Sequence, residues 1–269
     1  EAISDSTIYM AFFIASKYLN SGKISIEDLT DEFFNYIFLG KGNAKKHIWG
    51  EIRKEFEYWY PLDLNAGGKE HKAAHFPVFI MNHVGIFPEK LWPKGIFVNW
   101  HLITYGKKMS KHFGNVVFWN DAIDLYGADT TRFYLSHGAN QWEDFDWKNE
   151  ECKIYKNHLE NFYRIIEEII KSEGKGNEDV NKWFKSRINR VIEEVTSAME
   201  KNEIKKAIDL AFFSILNDVN WYRKRSETYD KDIISVWIKL LSPFIPHTSE
   251  EIWSKIGGKN SILKERWPI

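Results

Sequence analysis

The feature that most constrains this fold is the pattern of residues 148 to 269, where charged and apolar residues alternate at helical spacing. Apolar residues that recur three and four positions apart lie on one face of a helix. Consecutive helices of this kind bury their apolar faces against one another, so an all-α bundle is predicted. The predicted helices cover Lys148–Ser172, Asn177–Lys201, Ile204–Glu227, Lys231–Leu241 and Ser249–Ile256.

Residues 1 to 147 differ, because short apolar runs of strand length alternate with helical segments. Strands are predicted at Trp59–Leu64 and Gly95–Ile103, a tight break at Gly67-Gly68, and a turn at Asp144–Trp147. The predicted fold class is therefore α/β over residues 1–147 followed by all-α over residues 148–269. Helix starts are predicted at Ser4–Thr7, Ser25 and Thr30, with Gly40 as a stop, and further helices at Arg53–Trp59, Phe76–Phe87, Asn120–Gly127 and Gly127–Leu135.

Composition excludes several classes of protein. The 269 residues include 37 basic and 38 acidic side chains, so a nucleic-acid surface has to be a local patch. The single cysteine, Cys152, excludes an internal disulfide and a cysteine-rich zinc site, which makes a reducing, cytoplasmic setting the default expectation. No apolar run is long enough to span a bilayer and no signal peptide opens the sequence, so no membrane partner is expected.

Three lysines lie close together in a loop that follows a predicted strand and precedes a predicted helix. Lys107, Lys108 and Lys111 stand between Gly106 and Gly114. The exit of a strand before a helix is where α/β sheets hold phosphates, and lysine suits a triphosphate whose charge moves during reaction. The alternative is a solvated basic turn, which a lysine triplet alone more often forms.

A second group of polar residues follows the predicted strand at Trp59–Leu64. Gly68 allows close approach of a ligand to the backbone, and the Glu70 carboxylate is able to accept two hydrogen bonds from a ribose diol. His71 and His75 are four positions apart and would share one face of a helix. A metal site, ordinary surface residues and buried core histidines are alternatives, and spacing alone favours the surface.

Lys108-Met109-Ser110-Lys111, with Gly114-Asn115 after it, resembles the Lys-Met-Ser-Lys-Ser signature of class I aminoacyl-tRNA synthetases. The resemblance implies ATP binding by Lys108, Met109, Ser110 and Lys111 in a mobile loop that stabilises pyrophosphate during amino-acid adenylation. Lys108 and Lys111 would be catalytic, with Lys111 matching the more critical lysine. His112 and Phe113 depart from the usual Ser and small or basic residue.

The Gly-x-Glu-His-x-x-x-His segment from Gly68 to His75 is similar to leucyl-tRNA synthetases. That likeness implies that Glu70 and Gly68 bind the adenylate ribose, while His71, His75 and Tyr9 line the leucine pocket. The alternative for Tyr9 is a plain core tyrosine. Ser4–Met10 looks like the stretch that re-enters the catalytic domain after an inserted editing domain. Trp59–Leu64 and Asn82–Gly95 resemble the archaeal and eukaryotic branch of these enzymes. The implied fold is the second half of a Rossmann-like class I synthetase catalytic domain with an anticodon-binding-type bundle.

The class also needs a His-Ile-Gly-His-type motif, and nothing in this sequence matches it. His83-Val84-Gly85-Ile86 is a partial look-alike, but it lies downstream of where that motif belongs. The editing domain and the C-terminal tRNA-binding extension of this branch are not found either. We therefore expect the chain to be one part of a leucine–tRNA ligase, either an expressed fragment or one piece of a split enzyme, and inactive alone. If the enzyme is naturally split, the missing N-terminal half is the expected partner.

The resemblance further implies that ATP is a substrate carrying Mg²⁺, that leucine and tRNA(Leu) are the other substrates, and that no metal is bound by the protein. Basic residues of the bundle fit contacts to tRNA phosphates, although a solvated surface is the better interpretation for any one of them. Trp221-Tyr222 and Trp253 are predicted to be core rather than base-stacking residues. The alternatives are a noncatalytic tRNA-binding paralogue or subunit, and a nucleotidyltransferase on the same fold. The basic residues in question are Lys182, Lys185, Arg187, Arg190, Arg223, Lys224 and Arg225.

Overall fold

The structure, a computed structural model, describes residues 9–174 and 176–269 and divides into two units, Glu1–Trp100 and His101–Ile269. Each unit has its own hydrophobic core and is described by itself. Within the described residues, no helix combines the length and the apolar character needed to cross a membrane. The predicted helix start at Ser4–Thr7 lies outside these residues.

One helix of the first unit begins and ends at caps that the sequence predicts. The Thr30 hydroxyl accepts a hydrogen bond from the Phe33 amide at 3.3 Å, and Gly40 ends that helix in the left-handed region at φ +67°. The Ser25 start is confirmed as a capping box with Asp28, but it opens only a 3₁₀ turn. The unit contains α1 Tyr9–Asn20, α2 Asp31–Leu39, α3 His47–Trp59 and α4 His75–Ile86, with 3₁₀ turns at Ile26–Asp28, Lys69–Lys72 and Glu89–Leu91.

The strands of the first unit, β1 Asn65–Gly68 and β2 Ile96–Asn99, pair in parallel. Helix α4 lies between them in the chain, as a parallel pair requires a crossover. Asn65 is opposite Ile96 and Gly68 is opposite Asn99. Gly68 is therefore the last residue of its strand, and the residues that follow it lie at the carboxyl edge of the sheet.

The prediction of a strand at Trp59–Leu64 is wrong. Trp59 ends α3, the Tyr60-Pro61 peptide is cis, and Pro61 has no N–H to donate to a ladder. Before the ladder starts, the Leu62 carbonyl accepts one hydrogen bond, from the Lys94 amide at 2.9 Å. The strand consequently lies further along, and Gly67-Gly68 belongs to it rather than forming a break.

Buried aromatic rings form the core of the first unit. Phe33 and Trp49 meet edge to face at 5.2 Å between centroids, while Phe56 stacks near Phe87 at 6.1 Å. All four side chains are almost completely buried. Since Phe87 directly follows α4, this core fixes the end of the crossover helix and with it the position of the turn that precedes the helix.

A three-stranded sheet opens the second unit, with strand order β4–β3–β5. Strand β3 (Leu102–Thr104) pairs antiparallel with β4 (Lys107–Lys108) and parallel with β5 (Phe145–Trp147). Two predictions are corrected here. The strand predicted at Gly95–Ile103 is interrupted at Trp100-His101, and the turn predicted at Asp144–Trp147 is largely a strand, because β3 supplies it with a partner 43 positions earlier.

The predicted helices of the second unit are confirmed, with three changes. The helix predicted at Ser249–Ile256 begins three residues earlier, at Pro246, because proline is tolerated in the first turn of a helix. Helix α5 begins at Trp119, one residue before the start predicted at Asn120, and it has no side-chain cap. The helix predicted at Ile204–Glu227 contains a π-helical turn, Asp209–Ser214, and ends at Arg223. The helices are α5 Trp119–Tyr126, α6 Ala128–His137, α7 Asn149–Lys171, α8 Glu178–Glu200, α9 Ile204–Ile208, α10 Ile215–Arg223, α11 Asp232–Leu241 and α12 Pro246–Lys255, with 3₁₀ turns at Lys111–Phe113 and Ile262–Lys264.

The core of the second unit joins the bundle to α6. Phe133 of α6 is fully buried and packs 4.5 Å from Phe212, ring centroid to centroid. Trp237 donates its indole N–H to the carbonyl of Ala211 in the π-helical turn at 2.8 Å. Helix α6 was predicted to belong to residues 1–147, yet it packs with the bundle. The division into domains at Trp147 stays a prediction.

Candidate functional site

The lysine turn, residues 105–115, is held on a short β-hairpin. Thr104 is opposite Lys107 and Ile103 is opposite Lys108, and the two residues between the strands are Tyr105 and Gly106. Both have positive φ, +48° and +72°, which a two-residue hairpin turn of type I′ requires. The hairpin places the first two lysines on an edge strand, so the predicted plain loop is a strand followed by a 3₁₀ turn.

Strand β5 anchors the base of this hairpin. The Asp146 carboxylate accepts a hydrogen bond from the Gly106 amide at 3.0 Å, and the Thr104 hydroxyl donates to the Trp147 carbonyl at 3.1 Å. The Tyr105 hydroxyl donates to Glu150 at 2.8 Å, and this bond to the carboxylate raises the pKa of Tyr105. The turn is thus tied at its base to residues some 40 positions later in the sequence.

The three ammonium groups of the lysine turn are exposed and carry unneutralised charge. Lys107, Lys108 and Lys111 are exposed, and within residues 9–174 and 176–269 no carboxylate forms an ion pair with them. Met109, between them, is partly buried against the apolar cluster of Ala122, Tyr126, Tyr134, Trp147 and Cys152. The methionine anchors the segment while the lysines face solvent, which suits binding of a polyanion.

In the first unit, Glu70 folds back over the end of β1. A Cβ added to Gly68 would lie 2.6 and 2.7 Å from the two carboxylate oxygens of Glu70. The glycine therefore leaves the space that this carboxylate occupies, and any larger residue would displace it. The prediction that a glycine allows close approach at this point is consistent with the geometry, although the group that approaches is a side chain of the same unit.

The structure brings the three predicted leucine-pocket residues together. The rings of His71 and His75 lie 5.6 Å apart, and the Tyr9 ring lies 6.3 Å from that of His75. The prediction that both histidines share a face of one helix is wrong, because His71 belongs to the 3₁₀ turn and His75 is the first residue of α4. The His71 ring also packs over β1, since a Cβ on Gly67 would lie 3.2 Å from it.

Tyr9 also lines an apolar cavity of about 470 Å³. Its walls include Phe13, Trp59 and Tyr60, and neither predicted pocket histidine lines it. Among the described residues, no three His, Cys, Asp or Glu side chains are close enough to hold a metal ion. Tyr9 therefore lies near the His75 ring and also lines this apolar cavity.

His83, from the partial look-alike of the missing motif, is a core residue. It is completely buried in α4, and its Nδ1–H donates to the Phe79 carbonyl at 2.8 Å, which leaves Nε2 to accept from the Tyr60 hydroxyl at 3.3 Å. Burial lowers its pKa, partly opposed by the bond to Phe79. A neutral, enclosed imidazole is unable to reach a triphosphate, in agreement with the interpretation that this segment is not the motif.

Most basic residues predicted to contact tRNA form ion pairs with carboxylates of the second unit, and three of these five cations are exposed. Arg187 binds Asp218 at 3.0 Å, Lys182 binds Glu178 at 2.7 Å, and Arg223 contacts Glu168. Lys185 and Arg190 form longer pairs with Asp230 and Glu194, both at 3.6 Å. These five cations are partly neutralised, which weakens their attraction for phosphate.

Lys224 and Arg225 remain as exposed cations of this group. The Arg225 guanidinium lies 3.8 Å from the Trp221 ring centroid, and Trp221 also contacts Trp183 at 3.9 Å. Trp221 is 36% exposed, so its prediction as a core residue is wrong, whereas Tyr222 is buried as predicted. The side chain of Trp253 packs against the bundle core.

Sequence reasoning missed the residues that hold the lysine turn in place. Asp146 and Tyr105 contact partners 40 and 45 positions away, and no local pattern signals such bonds. Asn115 is different, since a local signal exists: the Gly114-Asn115 pair is typical of a turn, and in the structure Gly114 adopts the left-handed region at φ +63°.

Two family descriptions match parts of the chain. "tRNA synthetases class I (M)" matches residues 68–167, and "Anticodon-binding domain of tRNA ligase" matches residues 181–269. The leucine–tRNA ligase of Pyrococcus horikoshii is 40% identical over 295 residues, covering 100% of this chain and 30% of the relative. That of Archaeoglobus fulgidus is 42% identical over 262 residues, covering 94% of this chain and 28% of the relative. The chain thus spans less than a third of the length of these relatives.

Among solved structures, the Agrobacterium radiobacter K84 agnB2 LeuRS, in a ternary complex with tRNA and LeuAMS, matches with a TM-score of 0.67 and 20% identity. The match covers 88% of this chain and 32% of that chain, and at this identity it shows a shared fold. Together the matches confirm the predicted fold class and the resemblance to leucyl-tRNA synthetases.

Proposed function

Because this chain belongs to the leucine–tRNA ligase family of class I synthetases, we propose that it supplies part of an enzyme that activates leucine with ATP and transfers it to tRNA(Leu). The observation that carries the proposal is the anchored lysine turn, whose three exposed ammonium groups form no ion pair with a carboxylate in the described part of the chain. Positive charge held in place without a protein partner is suited to a charged substrate.

The proposed first step is adenylation. The leucine carboxylate attacks the α-phosphate of ATP, the bond to the bridging oxygen breaks, and pyrophosphate leaves with its negative charge. Lys108 and Lys111 stabilise that charge, as the resemblance implies, and Mg²⁺ arrives with the nucleotide. Such a reaction needs positioning and charge neutralisation rather than a covalent contribution from the protein.

Residues of the first unit are proposed to hold the rest of the adenylate. Glu70 accepts hydrogen bonds from the ribose hydroxyls, in a position that Gly68 makes possible. Tyr9, His71 and His75 line the leucine side-chain pocket, and their mutual ring contacts support this role. An apolar pocket of this kind distinguishes leucine from an analogue one methylene different by only about 1–3 kcal/mol.

The bundle is proposed to contact tRNA phosphates, with Lys224 and Arg225 as the first residues to test because neither is paired with a carboxylate within the described residues. Counterion release predicts that this binding weakens steeply with salt. We propose a cytoplasmic location, in line with the single buried thiol.

Leucine-dependent exchange of pyrophosphate into ATP tests the proposal. We expect no exchange from this chain alone, and exchange when a polypeptide that carries the His-Ile-Gly-His motif and the rest of the catalytic domain is supplied. Exchange by the chain alone would contradict the assignment of essential groups to the missing part. Salt-sensitive tRNA binding without exchange in the reconstituted protein would favour the noncatalytic module.

A further inference from the structure

The Asn115 side chain bridges two backbone groups of the lysine turn. Its Oδ1 accepts a hydrogen bond from the Ser110 amide at 2.9 Å, and its Nδ2 donates to the Lys108 carbonyl at 3.1 Å. Both groups lie within the segment that carries the lysines, on either side of Met109. A single side chain therefore satisfies one donor and one acceptor of the turn, five and seven positions before it in the sequence.

The other contacts at the tip of the turn are short in sequence. The Ser110 hydroxyl accepts from the His112 amide at 3.2 Å, and the Ser110 carbonyl accepts from the Phe113 amide at 3.1 Å. Gly114 then reverses the chain in the left-handed region, at φ +63°, and delivers Asn115 back beside Lys108. The two hydrogen bonds of Asn115 then join the end of the turn to its beginning.

We infer that Asn115 is a positioning residue for the proposed adenylation, in which it fixes the path of the backbone from Lys108 to Lys111. It does not bind the nucleotide. It reduces the number of directions in which the two ammonium groups point, so that their charge is already in place when the phosphates arrive. The inference rests on the proposed ligase function for its effect on rate, and on geometry alone for its effect on the turn.

Two variants separate the bonds. Asn115→Ala removes both, whereas Asn115→Asp keeps an acceptor for the Ser110 amide but places an oxygen against the Lys108 carbonyl in place of the donor. Asn120→Ala is the matched control, because Asn120 is an exposed amide five positions later, on α5. No hydrogen bond joins Asn120 to the turn in the described part of the chain.

Hydrogen exchange of the Ser110 amide in this chain tests the geometry. Losing a typical intramolecular hydrogen bond should speed its exchange by about 5- to 10-fold in Asn115→Ala, less in Asn115→Asp, and not at all in Asn120→Ala. The melting temperature should stay unchanged, since the turn is exposed. Unchanged Ser110 exchange in Asn115→Ala would overturn the inference.

Pyrophosphate exchange in the reconstituted ligase tests the effect on rate. We expect kcat to fall roughly 10-fold in Asn115→Ala with an unchanged KM for leucine, because the leucine pocket is in the other unit. An unchanged kcat despite faster Ser110 exchange would refute the positioning role. If the wild-type assembly shows no pyrophosphate exchange, the ligase function is refuted instead. Hydrogen exchange of the Ser110 amide would still decide whether Asn115 orders the turn.

Discussion

The Asp129 carboxylate accepts a hydrogen bond from the Thr248 amide at 2.5 Å, joining α6 to the first turn of α12 across 119 positions. The same carboxylate accepts from the His247 amide at 3.3 Å. Free amides at a helix start need acceptors, and here a residue of another helix provides them. Arg132 adds a second tie by donating to the Pro243 carbonyl at 2.7 Å. These bonds join α6 to the bundle.

Asp129→Ala should lower the free energy of unfolding by about 1–3 kcal/mol, since it removes a buried carboxylate and leaves two partly buried helix-start amides without their acceptor. Asp129→Asn keeps one acceptor oxygen and should cost less. Urea denaturation of the whole chain provides the measurement, with the exposed Asp124→Ala on α5 as the control. Equal stability of the Asp129→Ala and Asp124→Ala variants would show that this bond contributes little.

Lys111→Ala should reduce leucine-dependent pyrophosphate exchange in the reconstituted ligase by roughly 100-fold or more, as expected for loss of a group that stabilises transition-state charge. Lys107→Ala is the control within the same hairpin, since it removes an equal charge that has no assigned role, and it should have a much smaller effect. Similar losses in the two variants would mean that only the total charge of the turn matters.

Glu70→Ala should lower kcat/KM for ATP by about 10- to 100-fold, the loss expected for hydrogen bonds to a charged acceptor. If the carboxylate holds the ribose, the effect should shrink when the exchange assay uses a nucleotide that lacks one ribose hydroxyl. The KM for leucine should stay near the wild-type value. An equally large loss with the deoxynucleotide would refute the ribose contact.

Stability of the first unit should fall as pH drops below about 6.5, the ordinary pKa of histidine. His83 is buried and its pKa is lowered, so the unfolded state binds more protons in the window between its folded and ordinary values. Stability therefore rises with pH across that window and is lost as pH falls through it. Protonated Nε2 would also lose its bond from Tyr60.

Amide exchange of α4 between pH 5.5 and 7.5 measures this effect, with His83→Gln as the variant and His47→Gln as the control. The His47 side chain is 93% exposed. The stability difference between wild type and His83→Gln should narrow as pH falls, while His47→Gln should follow the wild type. A difference that does not change with pH would show that His83 titrates normally.

The sequence determined what depends on neighbours along the chain. Helices α7 and α8 were predicted to within one residue at each end, because apolar spacing and the Asn177 cap are local signals. Thr30 and Gly40 likewise marked the ends of α2. The lysine signature was recognisable from the sequence for the same reason, because its residues are consecutive.

Tertiary structure alone decided strand pairing, burial and the supports of the site. Phe145–Trp147 reads locally as a turn and becomes a strand only because Leu102–Thr104 lies beside it. The segment that begins at His83 partly resembles a catalytic motif, and only the burial of His83 against Tyr60 shows it to be a core residue. Periodicity reports contacts between residues a few positions apart, whereas a ladder or an enclosed imidazole depends on partners that folding brings from far along the chain.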